Sequence, residues 1–303
     1  MGVSAREHDL PRLDPGPRTV RPAGFPPGLP GKLQQRYPAQ QHVRDRGREQ
    51  GSRQDHVLVR DLTPWLKPWP ADPGERVRYA ESIFRRVAPR YDVLTRALSF
   101  GQDGRWKRGL VADAKGLGAH ARVLDLATGT AAFPILLRQA GYAGAVVGLD
   151  LSADMLARAR RKCAGAKKIW FLRGDLSRLP FADGSFDAVT IGYGLRYPPD
   201  LRGFLAGVSR LLRPGGRFLS LDFGLPENRA YRSVAMAYLL VLGSAWGLAL
   251  HGRPGTYAHI VESLRAYPGQ RNLVALMNDL GFADTALEEH LGGIAVTIRA
   301  RKP

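Results

Sequence analysis

Cysteine is nearly absent: Cys163 is the one thiol in 303 residues, so an intramolecular disulfide is excluded. A Cys/His metal cluster goes with it, because His8, His42, His56, His120, His251, His259 and His290 fall at no spacing that gathers ligands. Acidic residues are scarce too. Against 45 Lys+Arg stand 27 Asp+Glu, a net charge of +18, which calls for an anionic partner such as nucleic acid, a phosphate-bearing ligand or an acidic membrane face. The N-terminal region lacks the apolar core of a secretory signal, and its acids argue against an amphipathic transit peptide.

What is present is unevenly placed. Residues 1–74 hold 12 of the 22 prolines together with 12 Lys+Arg and 8 Asp+Glu. Such a stretch buries too little apolar surface to offset its ordering entropy, and it is expected to be a disordered, dispensable Pro/Arg-rich leader. The remaining 229 residues still carry +14, so the basic character belongs to the folded part. After Met1 the next methionine is Met155, so a shorter natural product would start at a non-Met codon near Val57, Val59 or Val77.

From Glu75 onward, short β-branched runs alternate with helical patterns, which points to a parallel sheet with crossover helices. Strands are expected at 122–127, 145–150, 169–172, 186–191 and 217–222, with helices at 132–140, 153–163 and 200–212 between them. A helix over 273–280 and strands near 285–290 and 294–300 close the chain. This is a Rossmann-like α/β fold: a seven-stranded, mostly parallel sheet with an antiparallel C-terminal strand and helices on both faces. Residues 77–110 read as a helical lid outside the sheet, and 226–269 as an insertion covering the substrate. Within the insertion, Val234–Leu250 carries no charge over 17 residues. That is short of the roughly 20 a spanning helix needs, which leaves a buried lid helix or an interfacial one.

Three strand ends carry the chemistry. Asp125-Leu-Ala-Thr-Gly129-Thr130 follows the first strand, Asp150 ends the second and Asp175 follows the third. In a doubly wound sheet these turns open on one carboxyl edge, where ligands bind. Gly129 lets the backbone approach a ligand, Asp150 lies where an acid grips both ribose hydroxyls, and Asp175 can accept from an adenine amine. Thr130, Ala131 and Ala132 offer none of the further glycines that pyrophosphate contact demands. The site therefore suits a nucleotide-like ligand without phosphates, S-adenosylmethionine.

Further motifs appear in order: Phe84-Arg-Arg-Val-Ala-Pro-Arg-Tyr-Asp92, Leu98-Ser-Phe-Gly101, Leu124-Asp-Leu-Ala-Thr-Gly-Thr130, Gly148-Leu-Asp-Leu-Ser152, Ser185-Phe-Asp-Ala-Val-Thr-Ile191, Gly194-Leu-Arg196, Leu212-Arg-Pro-Gly-Gly216 and Gly292-Gly293-Ile294. With these the chain from about Phe84 to Lys302 resembles the ubiquinone/menaquinone biosynthesis C-methyltransferases, class I enzymes that methylate a polyprenylated quinol ring. The resemblance implies cofactor contacts from Asp125, Gly129, Thr130, Asp150, Leu151, Asp175, Leu176 and Gly192. It implies a lid carrying Tyr91 and Asp92, and Arg196 facing the quinol. A phenolate is the nucleophilic form of such a ring; Arg196, always protonated, suits stabilising it better than abstracting its proton. Asp92, Asp222 or a water they hold is the expected base. His259 stands where a proton carrier over the substrate could sit, but a lone histidine on an insertion helix is expected to be solvated or capped, and it stays outside this catalytic set.

Some positions depart from the family pattern. Tyr197 stands where the family has Asn after Gly-Leu-Arg, Thr95 replaces a lid Asn, and Ala131 replaces a Gly or similar small residue. These leave the cofactor site intact and bear on the acceptor. A polyprenyl quinol lives in the bilayer, so the expected partner is an anionic membrane surface, met by a cytoplasmic enzyme at the inner face. Nucleic acid is not expected, since the basic residues form no aromatic-interleaved stripe. A homo-oligomer is left open. The alternatives are a methyltransferase acting on another lipophilic acceptor or a phospholipid, or a non-catalytic cofactor-binding relative.

Overall fold

The computed structural model describes residues 69–118 and 120–303; most of the leader expected over 1–74 lies outside them. The sheet is seven-stranded, in the order β3-β2-β1-β4-β5-β7-β6. Its strands are β1 (Arg122–Leu126), β2 (Ala145–Asp150), β3 (Ile169–Arg173), β4 (Phe186–Gly192), β5 (Leu212–Phe223), β6 (Ala283–His290) and β7 (Ala295–Arg301). The first five pair in parallel, and β7 runs antiparallel between β5 and β6.

Burial follows the residue pattern. Central β1, β2 and β4 are apolar on both faces and almost wholly buried, as strands covered by helices on either side must be. Successive side chains feed opposite cores: Val123, Val146, Ala188 and Leu219 join one, and Leu124, Val147, Val189 and Phe218 the other. Edge strand β6 alternates instead and carries Asp284, Glu288 and Glu289, charges that discourage pairing with another chain.

Nine α-helices surround the sheet among the described residues. Ahead of it lie α1 (Pro73–Val87), α2 (Tyr91–Leu98) and α3 (Asp103–Lys115); between strands lie α4 (Ala132–Gln139), α5 (Ala153–Lys162) and α6 (Leu201–Leu211); after β5 come α7 (Arg229–His251), α8 (Gly255–Arg265) and α9 (Gln270–Asp279). Four of them, α1, α5, α6 and α7, start at a side-chain cap. Asp72 accepts from the Glu75 N–H at 2.8 Å, Ser152 from Met155 at 3.3 Å, Asp200 from Gly203 at 2.9 Å and Asn228 from Tyr231 at 3.0 Å.

Two elements outrun the sequence expectation. Pro214-Gly215-Gly216, read as a helix stop, belongs to β5: Gly215 N–H donates to Lys302 O and Lys302 N–H to Gly216 O, both at 2.8 Å. The uncharged run becomes a 23-residue helix, α7, long and apolar enough by composition to cross a membrane. It spans about 34 Å, yet here it lies against the domain. Ala235, Leu239, Gly243 and Gly247 bury one stripe, while Tyr238 Oη reaches Leu98 O at 3.4 Å and Tyr231 Oη reaches Leu291 O at 3.0 Å.

Candidate functional site

The carboxyl ends of β1, β2 and β4 build the site. Asp125 stays inside the sheet, 1% exposed, accepting from Thr128 Oγ1 at 2.6 Å and Thr190 Oγ1 at 2.7 Å. Past β1 the backbone turns left-handed at Ala127, Gly129 and Ala131. Left-handed backbone favours glycine at 129, whereas Ala127 and Ala131, which carry a Cβ, are strained there. The Gly129 N–H is turned onto Asp150 Oδ2 at 2.7 Å, and Ser152 N–H meets Oδ1 at 2.8 Å. Burial pushes the Asp150 carboxyl up to about 6, although the N–H groups of Ser152, Gly129 and Leu151 pull it down. Asp125, buried with only two hydroxyl donors close by, rises to about 7.

These turns edge a cavity of about 660 Å³, counting its open mouth. Gly129, Asp150, Leu151, Asp175, Leu176 and Gly192 line the sheet side. Val77, Ala80 and Phe84 of α1 and Tyr91 of α2 close the other, with Tyr193 and Tyr197 from the loop after β4. Gly192 is required as glycine: a Cβ there would meet the Phe133 ring at 2.9 Å. Tyr193 is left-handed, φ 59°, fixed by its N–H on Leu221 O at 2.7 Å and its hydroxyl on Asp103 Oδ1 at 2.9 Å. Lys107 completes that anchor, 2.9 Å from Asp103 Oδ2. Strain of this kind concentrates where a ligand is held.

S-adenosylmethionine fits the residues present. Asp150 and Asp175 supply acceptors for hydroxyls and an amine, Leu151, Met155 and Leu176 an apolar wall, and four aromatic side chains a face suited to a sulfonium. The described lining holds no Lys or Arg for a phosphate. When bound, the cofactor supplies an electrophilic methyl group.

A second cavity of about 400 Å³ adjoins the first and shares Phe84, Tyr91, Tyr193 and Tyr197 with it. Its own lining comes from α2, α8 and the loop after β4, including Leu94, Thr95, Leu98, Arg196 and His259. Arg196 is held on three sides. Nε donates to Asp222 Oδ1 at 2.7 Å, Nη1 donates to Ser263 Oγ, and the guanidinium carbon lies 5.5 Å from the Tyr197 ring centroid and 5.4 Å from that of Phe223. Burial works against its charge, but the Asp222 carboxylate outweighs it and holds the proton more firmly than usual.

The structure sorts the expected residues by place. Gly129, Asp150, Leu151, Asp175, Leu176, Gly192 and Tyr91 line the first cavity, and Arg196 the second. Asp125 and Thr130 lie behind the first lining; Thr130 Oγ1 donates to Asp92 Oδ1 at 2.6 Å. Asp92 faces outward, also bonded by Lys162 Nζ from α5, and lines neither cavity. Asp222 is spent on Arg196 and on the N–H groups of Leu195 (2.9 Å) and Phe223 (2.7 Å). Tyr193 and Phe84 wall the first cavity without having been expected there, and Tyr197, expected to bear on the acceptor, walls both cavities; the one signal for Tyr193 was its place between Gly192 and Gly194.

Comparison with known proteins agrees with this architecture. The model of the ubiE/COQ5 methyltransferase family matches residues 74–302. The chain is 41% identical over 202 residues to a demethylmenaquinone methyltransferase of Thermus thermophilus, covering 66% of this chain and 91% of that one. It is 37% identical over 233 residues to a ubiquinone/menaquinone biosynthesis C-methyltransferase of Geobacter sulfurreducens, covering 76% and 89%. A methyltransferase of Haloferax volcanii, solved with its Trm112 activator, shares the fold, with TM-score 0.53 and 20% identity over 73% of this chain and 97% of that one. The two cavities therefore belong to an S-adenosylmethionine-dependent methyltransferase, and the chain is a member of the ubiE/COQ5 family.

Proposed function

We propose that the chain transfers a methyl group to a ring carbon of a polyprenylated quinol of respiratory quinone biosynthesis. The observation that carries this reading is the pair of joined cavities: a carboxylate-edged one suited to the cofactor opens, across Tyr91, Tyr193 and Tyr197, onto an aromatic one holding a buried arginine. A flat ring stacks among those aromatics, with a ring oxygen against the donors of Arg196. Asp222 balances its charge, so Arg196 acts as a set of directed donors for a developing phenolate rather than as a bare cation. The lid helices α1 and α2 exclude water and hold the reacting carbon close to the methyl, at about 3–3.5 Å. Relatives named demethylmenaquinone methyltransferase support the quinol class. Asp92, joined to Thr130 and Lys162, latches the lid to the cofactor turn in this reading.

The prenyl tail needs a way out, and the exposed apolar surface lies beside the acceptor cavity. Val93 lies on α2 and Phe100 just past its end, and Val234, Val241 and Leu248 rise from α7 at seven-residue intervals, each more than half exposed. Phe100 stacks on Tyr238 of α7 at 5.4 Å, so the two sets meet. Exposed Arg90, Arg96, Arg229 and Arg253 border them. An apolar face rimmed with arginine suits the inner, anionic leaflet, where α7 would lie in the interface plane. Mass spectrometry of quinones from a strain lacking the chain tests the activity: a demethylated quinone is expected to accumulate, and an unchanged pool would overturn the reading.

A further inference from the structure

We propose that His259 is the proton acceptor of the reaction, taking the proton of the ring hydroxyl that rests against Arg196. The inference rests on the quinol reading above and assigns that site its base. His259 lies on α8, 4% exposed, and lines the acceptor cavity together with Arg196. Its Nδ1 is 2.8 Å from Thr256 O. A carbonyl oxygen can only accept, so Nδ1 carries the hydrogen and Nε2 keeps its lone pair. Nε2 has no hydrogen-bond partner among the described residues.

Elimination points the same way. Asp222 is committed to Arg196 and two backbone N–H groups, and Asp92 lies on the outer side with Thr130 and Lys162. Burial pushes the phenols of Tyr91, Tyr193, Tyr197 and Tyr257 upward, the last two to about 12. They stay protonated near neutral pH, as does Arg196. Among the described residues lining this cavity, Nε2 is the side-chain atom able to take a proton there.

Every charge that faces His259 keeps it neutral in the resting protein. Burial lowers its proton affinity, the Thr256 carbonyl restores part of it and Arg196 lowers it again, to about 4. A base so weak returns its proton readily. The phenolate formed beside it stabilises the imidazolium while the step lasts, and Arg196 stabilises the phenolate.

The step balances without an oxidant. The ring O–H bond breaks; its proton forms an N–H bond on Nε2 and its electron pair stays on oxygen. That pair moves into the ring, and the adjacent ring carbon forms the new C–C bond as the methyl–sulfur bond breaks, its electrons neutralising the sulfonium. The ring is then a dienone with hydrogen and methyl on one carbon. Loss of that carbon-bound proton to water restores aromaticity while Nε2 returns its own proton to the oxygen. One proton leaves to solvent per turnover, and His259 ends neutral.

The test uses the full chain with a short-tail demethylnaphthoquinol kept reduced under anaerobic conditions. His259→Gln removes the imidazole base, and thermal unfolding and S-adenosylhomocysteine affinity verify the fold of the variant. Its kcat is expected to fall roughly 10²–10⁴-fold near neutral pH, with the deficit shrinking as rising pH ionises the hydroxyl unaided. Added imidazole is expected to restore turnover to His259→Gly. A folded His259→Gln with wild-type kcat overturns the inference alone, as does a pH-independent deficit without imidazole rescue. A wild-type protein that leaves the quinol unmethylated overturns the acceptor reading and this inference with it.

Discussion

Arg196 and Asp222 form an ion pair with each side chain only 1% exposed, Nε to Oδ1 at 2.7 Å, joining the loop after β4 to the end of β5. Desolvating two charges is costly, and the pair holds because the Leu195 and Phe223 N–H groups and Ser263 complete its hydrogen bonds. Removing one partner strands the other. Asp222→Asn is expected to lower unfolding stability by about 3–5 kcal/mol and to cut turnover as Arg196 loses its aim. Urea denaturation with steady-state kinetics measures both; a variant as stable and as active as wild type would remove the pair from the account.

Cofactor binding should carry the mark of Asp150. Its buried carboxyl rises to about 6, and ribose hydroxyls are best accepted by the ionised form. The affinity for S-adenosylhomocysteine is therefore expected to be flat above about pH 7 and to fall by about tenfold per pH unit below 6. In calorimetric titrations Asp150→Asn should bind more weakly and lose the acid limb. A limb that persists in that variant assigns the titration to another group.

Asp125 makes a different pH prediction because it lines neither cavity. Its folded value of about 7 lies above the roughly 3.9 of an unfolded Asp. Its stabilising contribution is thus complete below about pH 4 and is lost as pH rises through 7. Asp125→Asn, similar in shape and never charged, should flatten that part of the stability–pH curve. Parallel curves for the two proteins from about pH 5 to about pH 8 would refute the assignment.

The apolar ridge on α7 predicts salt-sensitive binding to anionic vesicles. Val234→Asp with Val241→Asp places charge on two side chains that are 63% and 66% exposed. Flotation should drop sharply while the thermal midpoint holds, because neither side chain is buried in the domain. Flotation equal to that of wild type would detach the ridge from membrane docking.

Sequence alone revealed the cofactor half of the site more fully than the acceptor half, for a physical reason. Gly129, Asp150 and Asp175 sit at strand ends, where a local pattern, apolar run then Gly or Asp, reports their position on the sheet edge. The acceptor cavity draws on α1, α2, the loop after β4 and α8, joined only by folding. His259 therefore read as a lone histidine, and Asp92 and Asp222 as candidate bases, until their partners were known. Helix α7 was underestimated because its polar ends, Arg229, Tyr231, Arg232 and His251, are helical too, bounded by the Asn228 cap and left-handed Gly252. Tyr197, which replaces an expected Asn, proved to be a wall of both cavities, packed on Phe84 at 5.1 Å and Trp69 at 5.6 Å.

The central claim is carbon methylation of a quinol ring, and one measurement meets it directly. The purified chain is incubated with methyl-labelled S-adenosylmethionine and a reduced demethylnaphthoquinol, and the product is analysed by mass spectrometry and NMR. The account predicts one label per ring, bonded to the ring carbon beside a hydroxyl-bearing carbon. Label on a ring oxygen, or an unlabelled quinol alongside active, cofactor-bound protein, would contradict it.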